Sequence, residues 1–278
     1  MHSNSSGVEQ SSEQTGYFEV PGADLYAVLH AVPNPIARMV LVGPFAAARH
    51  ASYIPWVRWA RYLAERQIEC LRYDYRGVGE STGVFEEMTF ENWVEDVEVL
   101  AAWLRSQSPT VPLFLHGLEL GCILAAHAYL KGRSDALLLW APTTNANEIL
   151  HAQLVRTIAQ EQLFKYGDAR KPLSDYVREM EMGNTIEVDG YQWSAELWAS
   201  SFSFKFPSAL LSERPMTQNA SRRVKIVELD NRAAPLVKGS SVGYDMLNKD
   251  FSWLYADSFE WADECLGLIA AGGNETSY

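Results

Sequence analysis

Five residues, Gly117-Leu118-Glu119-Leu120-Gly121, have the spacing of a turn built to present a reacting side chain, with an acid at its centre. They follow the apolar run Val111 to His116 and open a helix-like stretch, Cys122 to Leu130. In the G-x-S-x-G nucleophile elbow a serine sits on a strained strand-to-helix turn, and the glycines let strand and helix approach each other. Glu119 in that place allows three kinds of chemistry. As a nucleophile it would form an ester, which needs a histidine to activate water against it. As a general acid or base it would depend on two opposed effects: burial raises a carboxyl pKa, and a helix N-terminus lowers it. As a permanent anion it could accept from the oxyanion-hole donors, the N–H of Leu120 and one near Phe45.

A serine-type triad adds an acid and then a histidine further along the chain. Asp230 follows Arg223 to Leu229, which reads as a strand, and takes the acid place. The six histidines are His2, His30, His50, His116, His127 and His151, so none follows residue 151. Ordinary acyl-enzyme chemistry is excluded on that ground. His50 is expected in a loop near the site mouth, where a solvated or capping use competes with ligand contact. His116 is expected to pack under the sheet edge, and Arg76 to pair with a nearby carboxylate. Arg49 would add positive charge to the mouth. Cys122, like Cys70 and Cys265, lies in an apolar segment and reads as a buried thiol.

Alternating strands and helices must position these groups. Tyr17 to Val20 and Asp24 to Val32 read as a hairpin around Pro21-Gly22, and Met39 to Val42 as a strand buried on both faces. A loop and a helix from about Ile54 to Arg66 follow, then a strand, Ile68 to Tyr73. That strand ends in the polar, glycine-punctuated turn Asp74-Tyr75-Arg76-Gly77-Val78-Gly79-Glu80-Ser81. Trp93, Val94, Val97, Leu100, Ala101 and Leu104 fall at helical spacing, and Ala136 to Trp140 reads as a strand after the elbow helix. Such alternation predicts a mostly parallel sheet with right-handed crossovers. Residues 143–215 depart from it, with two helical stretches, a short strand at Thr185 to Val188 and dense aromatics, and read as a cap inserted over the sheet. Tyr191, Trp193, Trp198, Phe202, Phe204 and Phe206 are expected to pack cap against core. A strand, Phe251 to Tyr255, and a helix, Phe259 to Ala270, are expected to close the chain.

Composition narrows the partners. The 278 residues are 47% apolar, enough for one large core with an insertion, and the net charge is -12. That charge argues against nucleic acid or an anionic membrane surface. No apolar run reaches the ~18 residues of a membrane span. Residues 1–16 are rich in Ser, Gln and Glu, without the regions of a secretory leader, and read as a disordered tail on a cytoplasmic protein. No cysteine or histidine spacing suits a metal, and no cofactor site is indicated. Nothing in the sequence signals an oligomeric state.

The hairpin, the Gly43-Pro44-Phe45 loop, the Asp74–Ser81 turn, the Gly117–Gly121 elbow and the cap together resemble the α/β-hydrolase superfamily. Within it, Pro44-Phe45, Trp140-Ala141-Pro142 and Glu187-Val188-Asp189-Gly190-Tyr191 are similar to the exosortase A system-associated hydrolase 2 group. The resemblance runs from about residue 17 to 265. It implies an α/β-hydrolase core, residues 17–142 and 216–278, with the cap at 143–215. It also implies that Ser258, in Asp257-Ser258-Phe259, stands where the family carries its histidine. Two readings of function follow. One is a non-catalytic binding protein for a small, partly apolar ligand or a protein partner. The other is an enzyme using Glu119 as acid or base in an acyl-transfer, lyase or hydrolase step. The resemblance places either in the export of extracellular polysaccharide and sorted surface proteins.

Overall fold

The computed structural model describes residues 12–45, 47–164, 171–210, 223–229 and 250–272. Among these residues seven strands form one sheet in the order β1-β2-β4-β3-β5-β6-β9. Three central strands, β3 (Ala37–Val42), β5 (Leu113–Leu118) and β6 (Ala136–Trp140), are buried at every position, as their mostly apolar sequences favour. They pair in parallel, as do β3 with β4 (Ile68–Tyr73) and β6 with β9 (Val224–Val227). The hairpin of β1 (Ser12–Val20) and β2 (Ala23–Ala31) adds the antiparallel edge. This is the α/β-hydrolase architecture, mostly parallel and flanked by helices.

Strand β1 starts at Ser12 and pairs along its whole length, Ser12 opposite Ala31, so Ser12 to Gly16, expected in a disordered tail, belong to the sheet. Its outer residues are polar and exposed. Pairing there comes from the backbone, which a polar composition does not prevent.

Helices cover both faces. On one side α2 (Phe90–Gln107) and α3 (Leu120–Leu130) pack on the sheet; Thr89 and Asn92 close the start of α2 with reciprocal capping bonds. On the other side lie α1 (Ala47–Ala64) and α7 (Ser252–Gly272). Two expectations fail here. Helix α1 begins at Ala47, about two turns before Ile54, and carries Pro55 in its interior. The stretch 251–255, expected as a strand, runs into a single helix to Gly272, because Phe251, Leu254, Tyr255, Ser258, Trp261, Ala262 and Cys265 form one buried stripe at helical spacing.

Between β6 and β9 the chain forms α4 (Ala146–Phe164), α5 (Leu173–Glu181), the small hairpin of β7 (Ile186–Val188) and β8 (Tyr191–Trp193), and α6 (Ala195–Ser201). A bridge between Asn145 and Lys205 ties the two ends of this insertion, with Ala146 N–H donating to Phe204 O at 2.9 Å and Phe206 N–H to Thr144 O at 2.9 Å. Most of its aromatics pack inward: Phe204 stacks on Phe90 and lies 5.0 Å from His127, and Trp193, Trp198 and Phe206 are buried. Phe202 is exposed.

Candidate functional site

Glu119 joins β5 to α3 with φ 51° and ψ -114°. A non-glycine residue held there costs about 1–3 kcal/mol, so surrounding structure must impose it. The imposing contacts are visible at the two glycines. A Cβ on Gly121 would lie 2.1 Å from Val42 O and 2.5 Å from Gly43 O; one on Gly117 would lie 2.5 Å from Cys122 Cα. Only bare backbone fits, and the turn is wedged between β3 and the start of α3. The Glu119 N–H donates to Trp140 O at 3.0 Å, and Glu119 O accepts from Cys122 N–H at 3.0 Å. A second non-glycine residue with positive φ, Ala141 at 50°, follows at the neighbouring strand end.

The Glu119 side chain is half-buried, and among the described residues it makes no capping hydrogen bond to the first turn of α3. Leu120 is the first residue of α3 and is buried. Phe45 turns its ring inward, 5.1 Å from Trp93, and stacks on Phe85 and on Tyr191 of the cap hairpin. His50, expected in a loop, is an exposed residue in the first turn of α1. Asp230 lies outside the described residues. Ser258, expected at a strand-to-helix junction, is inside α7; it is fully buried and accepts from Trp140 Nε1 at 3.0 Å. Trp140 thus connects the two places: its carbonyl holds the elbow N–H and its indole holds Ser258.

The Asp74–Ser81 turn is bound differently. Arg76 donates through Nε to Asp96 Oδ1 at 2.7 Å, through a terminal nitrogen to Glu95 at 3.0 Å and to Pro21 O at 3.0 Å. Asp96 is fully buried, and that burial pushes its carboxyl up to about 6 against the opposing pull of Arg76. Asp74 pairs with Arg49 and accepts from Glu80 N–H at 3.0 Å. Ser81 Oγ donates to Asp74 O at 2.6 Å and accepts from Tyr26 N–H at 2.9 Å. Tyr75 Oη donates to Gly43 O at 2.6 Å and so ties this turn to the loop beside the elbow.

His116, three residues before Glu119, is fully enclosed by Trp56, Trp59 and Trp140, its ring centroid 4.4 Å from that of Trp140. Among the described residues neither ring nitrogen has a hydrogen-bond partner, and burial holds its pKa well below the ordinary histidine range. The Cys122 thiol is pushed up, first by burial and then by the charge of Glu119. Such a thiol is inert. All three cysteines are buried. Among the described residues no three side chains gather to hold a metal, and no helix is long and apolar enough to cross a membrane.

Sequence reasoning missed Asp96 and Arg72. Both are charged residues inside otherwise apolar stripes, Asp96 between Val94 and Val97 and Arg72 in the strand Ile68–Tyr73. That interruption was the available signal, since a charge on a buried face implies a dedicated partner.

Comparison with known proteins agrees with the geometry. A family profile described as serine aminopeptidase, S33, matches residues 56–240. The chain is similar to the α/β hydrolase GrgF from Penicillium sp. sh18, at 15% identity over 92% of this chain and 99% of that one, with a TM-score of 0.59. It is also similar to Est1E from Butyrivibrio proteoclasticus, solved with ferulic acid, at 14% identity over 91% and 99%, again at 0.59. No curated protein sequence matches.

Proposed function

The chain belongs to the serine aminopeptidase S33 family of α/β hydrolases, and we propose that it is a member that binds rather than hydrolyses. One observation carries this reading: Glu119 occupies the strained centre of the elbow in place of serine, in a chain with no histidine after residue 151. Peptide or ester cleavage by the triad route needs a hydroxyl at the elbow and an imidazole to take its proton. Neither is available. The buried Trp140–Ser258 hydrogen bond fills the far side of the sheet with a structural contact.

The bound species is a small, partly apolar ligand under the cap or a protein partner there. Phe85 and Tyr191, half-buried and packed on the enclosed ring of Phe45, supply the apolar surface between the loop after β3 and the cap hairpin. By its resemblance to the exosortase-associated group, the setting is extracellular polysaccharide export. A fluorophosphonate probe, which reacts with activated serines, should leave the protein unlabelled, and a panel of esters, thioesters and amides should show no turnover. Labelling, or turnover that survives Glu119→Gln, would exclude the elbow reading altogether.

A second reading keeps Glu119 as an acid or base. It is favoured by the retained elbow backbone, which presents a half-buried carboxylate at the sheet's carboxyl edge, the place where open α/β sheets bind ligands. Turnover on that panel that disappears in Glu119→Gln, with an unchanged melting temperature, would select it over the first.

A further inference from the structure

Arg72, on β4, is buried to 8% exposure, yet among the described residues no carboxylate pairs with it. Its Nε donates to His30 Nε2 at 2.9 Å, the one hydrogen bond its side chain makes there. His30 is neutral at ordinary pH, since burial and the charge of Arg72 lower its pKa to about 4, so it gives no countercharge. The nearby acids are committed elsewhere. Glu13 accepts from Arg61 at 2.6 Å and meets Arg72 only across the His30 ring, 3.7 Å from its Nδ1, while Asp74 holds Arg49 and the Glu80 N–H, and Glu69 accepts from Arg38 at 2.7 Å. A buried guanidinium without an anion carries a large desolvation cost.

The side chain faces a cavity of about 290 Å³ between β2, the end of β4, the Gly43-Pro44 loop and α1. Its walls include Tyr26, Tyr53 and Trp56, and the Tyr53 ring lies 5.8 Å from the Arg72 guanidinium carbon. Glu119, Leu120 and Phe45 are not part of it; the cavity lies on the α1 side of the loop whose Gly43 carbonyl abuts Gly121.

We propose that this cavity is a second ligand site, distinct from the elbow, which takes a small aromatic monocarboxylate with its carboxylate on the open side of the Arg72 guanidinium. A planar guanidinium matches a carboxylate in two parallel hydrogen bonds, and the tyrosine and tryptophan walls suit a flat ring. A volume near 300 Å³ is at the small end of ligand cavities, which limits the ligand to about one ring with its acid group. Glu80 and the Asp74–Arg49 pair also line the cavity, and with Arg49 already held by Asp74 a dianion such as phosphate finds one open guanidinium and one acid. The site is independent of whether Glu119 reacts.

Calorimetric titration of the full chain with benzoate, benzamide and inorganic phosphate tests it. Benzoate should bind, with benzamide and phosphate each at least about tenfold weaker. Arg72→Gln should weaken benzoate about tenfold or more while the ligand-free melting temperature holds or rises, because an unpaired buried charge is removed. Arg72→Lys, which keeps the charge and loses the fork, should not restore the affinity. Tyr53→Ala, at a residue 52% exposed and so tolerant of change, should weaken benzoate about threefold by removing one wall, and it decides the matter if the arginine variants fold poorly. Equal binding of benzoate and benzamide, tighter binding of phosphate, unaltered benzoate binding in Arg72→Gln, or no benzoate binding to the unmodified chain would overturn the proposal.

Discussion

The elbow at Glu119 and the turn from Asp74 to Ser81 lie at the carboxyl ends of β5 and β4, and they keep their architecture in different ways. The turn is held by side chains: Arg76 on Asp96 and Glu95, Asp74 on Arg49, Ser81 on two backbone groups. At the elbow the tight fit is between backbone atoms, through the two glycine contacts and the Glu119–Trp140 bond. Side chains of the turn are therefore committed to structure, whereas the closest contacts of the elbow fall on its two glycines. A glutamate can stand where serine would, and the frame persists. Geometry and chemistry are separable at one of these turns and not at the other.

If that contrast is right, Asp96→Ala should have the largest effect, because it leaves Arg76 buried without its main partner. A loss of about 3–5 kcal/mol is expected in urea unfolding. A loss below about 1 kcal/mol would mean the turn stands without its side chains. Gly121→Ala should follow at about 3 kcal/mol, since the new methyl meets two carbonyl oxygens of the adjoining strand end that cannot move singly. A neutral outcome there would break the backbone side of the comparison.

Acid should then distinguish the buried histidines from the buried aspartate. Between its ordinary value of 6.5 and about 4, His30 binds a proton when unfolded and not when folded, so its contribution to stability is present above pH 6.5 and lost as pH falls toward 4. At about 1.4 kcal/mol per unit, that is about 3 kcal/mol. His116 acts in the same direction. Asp96, raised from 3.8 to about 6, acts in the opposite one over that range and offsets part of the loss. Melting temperatures from pH 7 to 4.5 should fall, and His116→Leu should make the fall shallower while raising stability at pH 7 by about 1 kcal/mol, since two unpartnered ring nitrogens leave the core. The smallest effect belongs to Glu119 itself. Glu119→Gly relieves the positive φ at an entropic cost of similar size, so stability should move by no more than about 1 kcal/mol, in contrast to Gly121→Ala. A larger loss would show that the carboxylate holds the elbow after all.

Much of the frame was legible in the sequence. The apolar runs of β3, β5 and β6 allow no placement other than mid-sheet, and the break in strand–helix alternation after Trp140 marks the insertion. What failed has a common cause, a local signal outweighed by packing. Pro55 reads as the start of a helix, yet Ala48 and Ser52 extend the buried face of Trp56 and Ala60 back to Ala47. Asp257-Ser258 reads as a break, yet Ser258 continues the stripe that Leu254 and Trp261 share. Side-chain pairing across the fold, as between Arg76 and Asp96 or Arg72 and His30, joins residues 20 and 42 positions apart, and nothing in a local pattern carries it. At the candidate site the sequence supplied the residue at the elbow, while only the fold shows Ser258 joined to it through Trp140.

The outermost strand has a bearing on solubility. Among the described residues β1 is the sheet's edge, and the outward backbone groups of its nine residues are a template on which another chain could extend the sheet. Its first half, Ser12-Glu13-Gln14-Thr15, is polar, and Glu13 is drawn toward α1 by Arg61. Those residues make the edge unattractive to a second apolar strand. A protein that began this sheet with valines and isoleucines would have the same fold and a standing invitation to polymerise.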